Sequence, residues 1–79
     1  MSDTLGRRKY EVRLFNEQVR RKIDDGEENN TGWDDKWAEA HYETVLAQSA
    51  EQAKEMMYNR YPKIAGFKIT HVLEINDKE

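Results

Sequence analysis

Three short segments of this sequence alternate between apolar and polar residues, and this pattern narrows the folds that the chain can adopt. A period of two residues is typical of a β-strand with one buried face. The segments span 8–15, 41–47 and 67–75. The last is the longest, and its predicted apolar face consists of Phe67, Ile69, His71, Leu73 and Ile75. We therefore predict three strands, the first of which buries Tyr10, Val12 and Leu14.

The second strand is predicted to run over 41–47. Its alternation places two groups of residues on opposite faces. One group is Tyr42, Thr44 and Leu46, and the other is His41, Glu43, Val45 and Ala47.

The apolar period changes after the first strand. Phe15, Val19 and Ile23 are spaced four residues apart, as on one face of an amphipathic helix. Asn16 is a suitable N-cap for this helix, and Gly26 can end it. These signals predict a short helix that follows the first strand directly.

An alternative interpretation extends the first strand through 16–25 as one arm of a long two-stranded ribbon. The alternation of apolar residues in this segment fits a strand as well as a helix. A ribbon needs a partner strand of the same length, and 28–36 is too rich in Asn, Gly and Asp to provide one. We therefore favour the helix.

A second helix begins at the strongest local signal in the chain, a capping box formed by Ser49 and Gln52. It ends at Tyr61, because the residue before Pro62 avoids the helical region. The predicted apolar positions of this helix are Ala50, Ala53, Met57 and Tyr61, with Met56 adjacent to them.

The order of elements, β-α-β-α-β, predicts an α+β fold. Three strands with one apolar face each need a cover, and one or two helices on that face give a two-layer sandwich. Both edges of so small a sheet are open to further strands, from a partner or from a second copy. We therefore expect that the chain can form a homodimer.

The size of the chain allows one small domain, 1–79. A chain of 79 residues buries only about 63% of its unfolded surface, and such a domain is stable by only about 3–5 kcal/mol. It has no cysteine, so disulfides cannot stabilise it. We expect frayed ends at 1–7 and 76–79 and an exposed acidic loop at 24–36.

The charge is segregated along the chain. Residues 1–22 hold seven bases against three acids, a net charge of +4, whereas 23–55 hold ten acids against two bases, a net charge of −8. Such blocks can pair on the surface of a folded chain, where each pair contributes about 0–1 kcal/mol. They can also steer the protein towards a partner of opposite charge.

No combination of residues in the sequence indicates catalysis, a metal or a cofactor. His41 and His71 lack the spacing of metal ligands, and we interpret them as core or boundary residues. The acidic loop lacks the ligand spacing of a calcium site. We therefore predict that the protein is not an enzyme and has no catalytic residues, no metal site and no cofactor.

Two tryptophans lie four residues apart in the acidic loop. If the loop contains a helical turn, Trp33 and Trp37 cover the small core. If they stay exposed, they are candidate contacts for a protein partner, because Trp is enriched at the centres of interfaces. The candidate contact residues are Trp33, Trp37, Asp34, Asp35, Glu27 and Glu28.

The alternative function is weak binding of nucleic acid by the basic N-terminal block. Cations interspersed with aromatic residues suit a phosphate backbone and its bases, although the neighbouring acids oppose a positive field. The candidate residues are Arg7, Arg8, Lys9, Arg13, Arg20 and Arg21.

Four motifs carry a resemblance that covers about 9–75. They are V-R-L-F-N-E at 12–17, W-A-x-x-H-Y at 37–42, A-x-S-x-E-Q-A at 47–53, and R-Y-P at 60–62 followed by G-F-x-I at 66–69. The chain resembles small uncharacterised proteins encoded by bacteria and their phages, and this resemblance implies no activity. In outline it is also similar to small ribosomal-type α+β domains, whose basic surface it lacks.

From these observations we predict a small interaction module that docks on a host or phage protein. The sequence has no apolar run of the length that a transmembrane helix needs, and no secretory signal is recognisable at its start. We expect no membrane partner and a cytoplasmic location, which is the host cytoplasm if a phage encodes the chain.

Overall fold

The computed structural model describes residues 7–75 and confirms an α+β fold. The predicted frayed ends, 1–7 and 76–79, lie outside the described residues apart from Arg7. Two 3₁₀ turns, Asp35–Ala38 and Lys63–Ala65, accompany the five main elements. Those elements are β1 (Arg8–Asn16), α1 (Glu17–Asp24), β2 (His41–Ala47), α2 (Ala50–Arg60) and β3 (Phe67–Ile75).

The three strands form one antiparallel sheet with β1 in the centre. The strand order is β2-β1-β3, and each outer strand pairs antiparallel with β1. The outer strands are therefore parallel to each other, and α2 connects them across one face of the sheet. Because 17–24 forms α1, the alternative ribbon is wrong and the predicted helix is confirmed.

One face of the sheet is covered and forms the core. Tyr10, Val12 and Leu14 of β1 are buried, which confirms the alternation predicted for this strand. Helix α2 packs Ala53 and Met57 against this face, and both are fully buried. A second cluster lies towards the end of the sheet near α1 and consists of Leu14, Val19, Trp37 and Phe67.

The face predicted for β3 is only half right, because the strand contains a β-bulge. In the register of the two strands, Arg13 pairs with His71 and Leu14 pairs with Ile69. Thr70 is therefore an extra residue that stands opposite no residue of β1. The bulge resets the alternation, and Val72 rather than His71 packs against the core. The predictions that His71 and the residues after it share the face of Phe67 are therefore wrong.

The apolar face predicted for α1 is also partly wrong. Only Val19 is buried, whereas Ile23 is 43% exposed. Phe15 lies on the opposite side of β1 from the core, and the guanidinium of Arg20 sits 3.8 Å from the centre of its ring. A helix of eight residues reaches the core with a single side chain here.

The capping box of α2 is confirmed in its first half. Ser49 Oγ accepts from the backbone N–H of Gln52 at 3.1 Å. In a capping box the side chain of Gln52 would accept from the N–H of the N-cap residue, Ser49. Here it accepts from the N–H of Gln48, one residue earlier. Ala50, which the period places on the apolar face, is exposed, and so is the adjacent Met56.

A buried asparagine joins β1 to α1 and anchors the start of β3. Asn16 Oδ1 accepts from the N–H groups of Gln18 and Val19 at 2.9 and 3.0 Å. Its Nδ2 donates to the carbonyl of Ala65 at 3.1 Å. Gly66, at φ +107°, fits against this corner, because a Cβ there would lie 2.7 Å from Asn16 Oδ1. Predicting Asn16 as the N-cap was therefore correct, and the residue also ties two ends of the fold together.

Candidate functional site

The second face of the sheet carries no helix and is called the open face below. It contains the residues of each strand that alternate with the core positions, after the bulge in β3 is taken into account. They are Lys9, Glu11, Arg13 and Phe15 from β1, Tyr42, Thr44 and Leu46 from β2, and Lys68, His71, Leu73 and Ile75 from β3.

Three of the six large apolar side chains that are exposed within residues 7–75 lie on the open face. Tyr42 is 61% exposed, Leu46 is 51% exposed and Leu73 is 61% exposed. Tyr42 and Leu46 belong to one outer strand and Leu73 to the other, so they lie on both sides of β1. Apolar groups that are gathered on one exposed surface are typical of interaction sites, whereas single exposed ones are common on any protein.

The centre of the open face is charged and shallow. Glu11 and Arg13, with Tyr42, His71 and Leu73, line a depression of about 440 Å³ that opens widely to solvent. Arg13 Nη1 donates to Thr70 Oγ1 at 3.0 Å, which holds the guanidinium over the bulge. Within residues 7–75, Glu11 forms no ion pair or side-chain hydrogen bond. Within this part of the chain its carboxylate is therefore available to a cation from outside.

One edge of the sheet is partly closed. The N–H of Ile69 donates to the hydroxyl of Tyr58 on α2 at 3.0 Å. An added strand could not use this donor, so pairing along this stretch of β3 is disfavoured. This contact favours the open face over the β3 edge as the place where a partner docks.

The predicted tryptophan contact surface belongs largely to the core. Trp37 is 7% exposed, and its ring lies 5.2 Å from that of Phe67 and 5.0 Å from that of Tyr61, measured between centroids. Trp33 is half-buried, with its ring 4.7 Å from that of Phe67. The loop contains the 3₁₀ turn 35–38, and both tryptophans pack as a cover over the core.

Three of the four candidate acids in the loop have local partners. Glu27 pairs with Lys22 at 3.4 Å. Asp34 Oδ1 accepts from the N–H of Lys36 at 2.8 Å and caps the 3₁₀ turn. Asp35 Oδ1 accepts from Asn29 Nδ2 at 2.7 Å, and Glu28 is exposed. These contacts shape the loop around Trp33 and Trp37.

The basic block predicted for nucleic acid is divided between several surfaces. Arg8 pairs with Glu74 at 3.7 Å, and Arg21 pairs with Glu17 at 3.3 Å. Arg20 stacks on Phe15 and donates from Nε to the carbonyl of Ala38 at 2.7 Å. Lys9 and Arg13 lie on the open face, and Arg7 is exposed beyond the start of β1. The six bases therefore do not form one continuous positive patch.

The two histidines lie in different environments. His41 Nε2 donates to the carbonyl of Lys36 at 2.8 Å, and its ring lies 4.9 Å from that of Trp37. His71 is exposed on the open face. Within the described residues, no group of three or more His, Asp or Glu side chains could hold a metal ion.

Comparisons with known proteins identify no relative: no family model, no curated protein and no solved structure matches this chain. In the described part of the chain, neither α1 nor α2 combines the length and the apolar character that crossing a bilayer requires.

Sequence reasoning missed the open face as a candidate site. The available signal was the group of Tyr42, Thr44 and Leu46 in β2, because Tyr42 and Leu46 replace the polar residues expected on a solvated face. Leu73 gave a misleading signal, because without the bulge it belongs to the core face of β3.

Proposed function

We propose that this chain is a non-enzymatic protein-interaction module that docks on another protein through the open face of its sheet. The observation that carries the proposal is the exposure of Tyr42, Leu46 and Leu73 on one surface. Burying the exposed part of such side chains supplies about 25 cal/mol per Å² of apolar area. We place the interaction in the cytoplasm, where a cysteine-free fold is suited to reducing conditions.

The composition of the open face favours a protein over a nucleic acid. Leucine and isoleucine side chains pack against other apolar side chains and offer no ring on which a base could stack. In the centre, Glu11 lies between Lys9 and Arg13 and offsets part of their positive charge. Aliphatic flanks with a mixed-charge centre match the general anatomy of protein interfaces.

Relative to the sequence-based hypothesis, the proposal keeps the class of function and changes the contact surface. Trp37 packs in the core, so a partner could reach it only if the loop opened. Tyr42 needs no such rearrangement.

Site-specific cross-linking tests the proposal. A photoreactive benzoyl-phenylalanine is placed at position 42 of the open face, and in a control protein at the exposed position 54 on α2. Irradiation in cells is expected to give a discrete protein adduct from position 42 and none from position 54. The adduct should disappear when Leu73→Asp is added. Equal labelling at both positions, or no adduct at position 42, would contradict the proposal.

The open face also supports a second candidate, the binding of single-stranded nucleic acid. Lys9, Arg13 and Lys68 share this face with the rings of Tyr42 and His71. Anisotropy of a labelled oligonucleotide at ~50 mM and ~200 mM salt distinguishes the two candidates, because phosphate binding weakens strongly as salt rises. For a protein-binding module we expect no binding at either concentration. Salt-sensitive binding that Arg13→Ala abolishes would favour the nucleic acid.

A further inference from the structure

Charges alternate along the central strand of the open face. Lys9, Glu11 and Arg13 follow one another on this side of β1. The strand runs from Arg8 to Asn16, so its midpoint is Val12, and Glu11 and Arg13 lie on either side of that midpoint. A surface with opposite charges at equal distances from its centre is complementary to itself when one copy is turned end to end.

Two copies of the sheet can pack face to face with their β1 strands parallel or antiparallel. In the parallel arrangement Glu11 faces Glu11 of the second copy and Arg13 faces Arg13. Juxtaposed like charges cost several kcal/mol in an interface and disfavour that arrangement. In the antiparallel arrangement about Val12, Glu11 faces Arg13 of the second copy, and this pair occurs twice by symmetry.

Resting on the proposed function, we infer that the protein docked on the open face is a second copy of this chain, with the two β1 strands antiparallel. The carboxylate of Glu11, which has no ion pair within residues 7–75, gains one across the interface. Tyr42 pairs with Arg13 on one side of this centre, and Leu73 pairs with Glu11 on the other. The twofold axis of the antiparallel arrangement runs across the strands, so each outer strand packs against the matching strand of the second copy.

The area of the open face predicts a reversible dimer. Three strands ~4.8 Å apart and about seven to nine residues long give a flat area of about 300–400 Å² per copy. A standard stable interface buries about 800 Å² per partner. We therefore expect association in the range of ~10 μM to ~1 mM, which is the range that the measurement must cover.

Charge exchange tests the arrangement by sedimentation equilibrium of the purified full chain. Glu11→Arg alone and Arg13→Glu alone should each weaken the dimer about tenfold or more, because each creates two like-charge contacts. An equimolar mixture of the two variants should form a heterodimer, since arginines at 11 and 13 then face glutamates at 13 and 11. The double variant E11R/R13E should dimerise like the original chain. Glu55→Arg, an equal change of charge on exposed α2, is the control and should have no effect.

The outcomes separate this inference from the proposed function. A chain that stays monomeric up to ~1 mM, with a position-42 cross-link to a different protein, overturns the second copy and leaves the proposed function standing. Dimerisation that the mixture does not restore overturns the antiparallel arrangement. A double variant E11R/R13E that pairs better with the original chain than with itself would instead indicate parallel β1 strands, because in that arrangement position 11 faces position 11 and position 13 faces position 13. Circular dichroism of each variant establishes that the fold is retained.

Discussion

The two faces of the sheet are built from the same strands and differ in what lies over them. On the covered face, Val12 and Leu14 are fully buried beneath α2 and the tryptophan loop. On the open face, Leu46 is 51% exposed and Leu73 is 61% exposed. Apolar residues on the covered face stabilise the fold, whereas those on the open face contribute little to folding and remain available for contact. The comparison shows that alternation alone does not reveal which face of a strand is covered and which stays exposed.

The two faces also differ in how their polar groups are satisfied. Within residues 7–75, the covered side has no buried side-chain nitrogen or oxygen without a hydrogen-bond partner, and its one buried polar residue is Asn16. The open face presents a carboxylate and a guanidinium next to apolar side chains. The polar groups of the interior are therefore satisfied within the fold, whereas those of the open face can still gain partners.

The largest expected difference in stability between the two faces comes from truncating one large aromatic side chain on each of them. Trp37→Ala removes a ring that packs against Phe67 and Tyr61, and such truncations cost about 3–5 kcal/mol. That cost equals the whole stability expected of so small a domain, at about 3–5 kcal/mol. We therefore expect Trp37→Ala to be largely unfolded by circular dichroism at 25 °C.

Tyr42→Ala is the matched control on the open face. The ring is 61% exposed, so we expect a change in the free energy of unfolding within about 1 kcal/mol and a retained spectrum. If Trp37→Ala folded as well as Tyr42→Ala, the two faces would not differ in their contribution to stability. The original hypothesis of a tryptophan contact surface would then regain support.

An intermediate loss of stability is expected from a substitution at Asn16, where β1 joins α1. Asn16→Ala removes the N-cap of α1 and leaves the carbonyl of Ala65 without its donor. Loss of a cap costs about 0.5–2 kcal/mol, and leaving the partly buried carbonyl of Ala65 without a donor adds less than the about 1–3 kcal/mol of a fully buried group. We expect the urea midpoint to fall accordingly. Asn59→Ala on exposed α2 is the control and should change stability by less than about 0.5 kcal/mol.

Local sequence signals predicted the elements of this fold well. Asn16 and Ser49 marked the start of both helices because capping depends on a few neighbouring backbone groups. The alternation in β1 identified Leu14 as a core residue, and the alternation in β2 separated its two faces without assigning either of them to the core. Strand order remained open, because it depends on pairing between segments that are distant in the sequence.

The candidate site was harder to predict because it depends on long-range geometry. The bulge at Thr70 places His71 and Leu73 on the open face. No residue type in β3 predicts that bulge. Trp37 could be read as a core or a surface residue, and only its packing on Phe67 from a distant strand decides between them. A short helix such as α1 also covers less of the sheet than its apolar period suggests.

The smallest effect on stability, and the sharpest test of the contrast between the faces, is expected from Leu46→Thr combined with Leu73→Thr. Threonine suits a strand as well as leucine does, and both side chains are more than half exposed. We expect the free energy of unfolding to change by no more than about 0.5–1 kcal/mol, measured at ~5 μM so that self-association does not contribute. Binding through the open face should be weakened in the same protein, because each side of β1 loses one large apolar side chain. A loss of stability comparable to that of Asn16→Ala would mean that these leucines support the fold, and the open face would then be a structural surface.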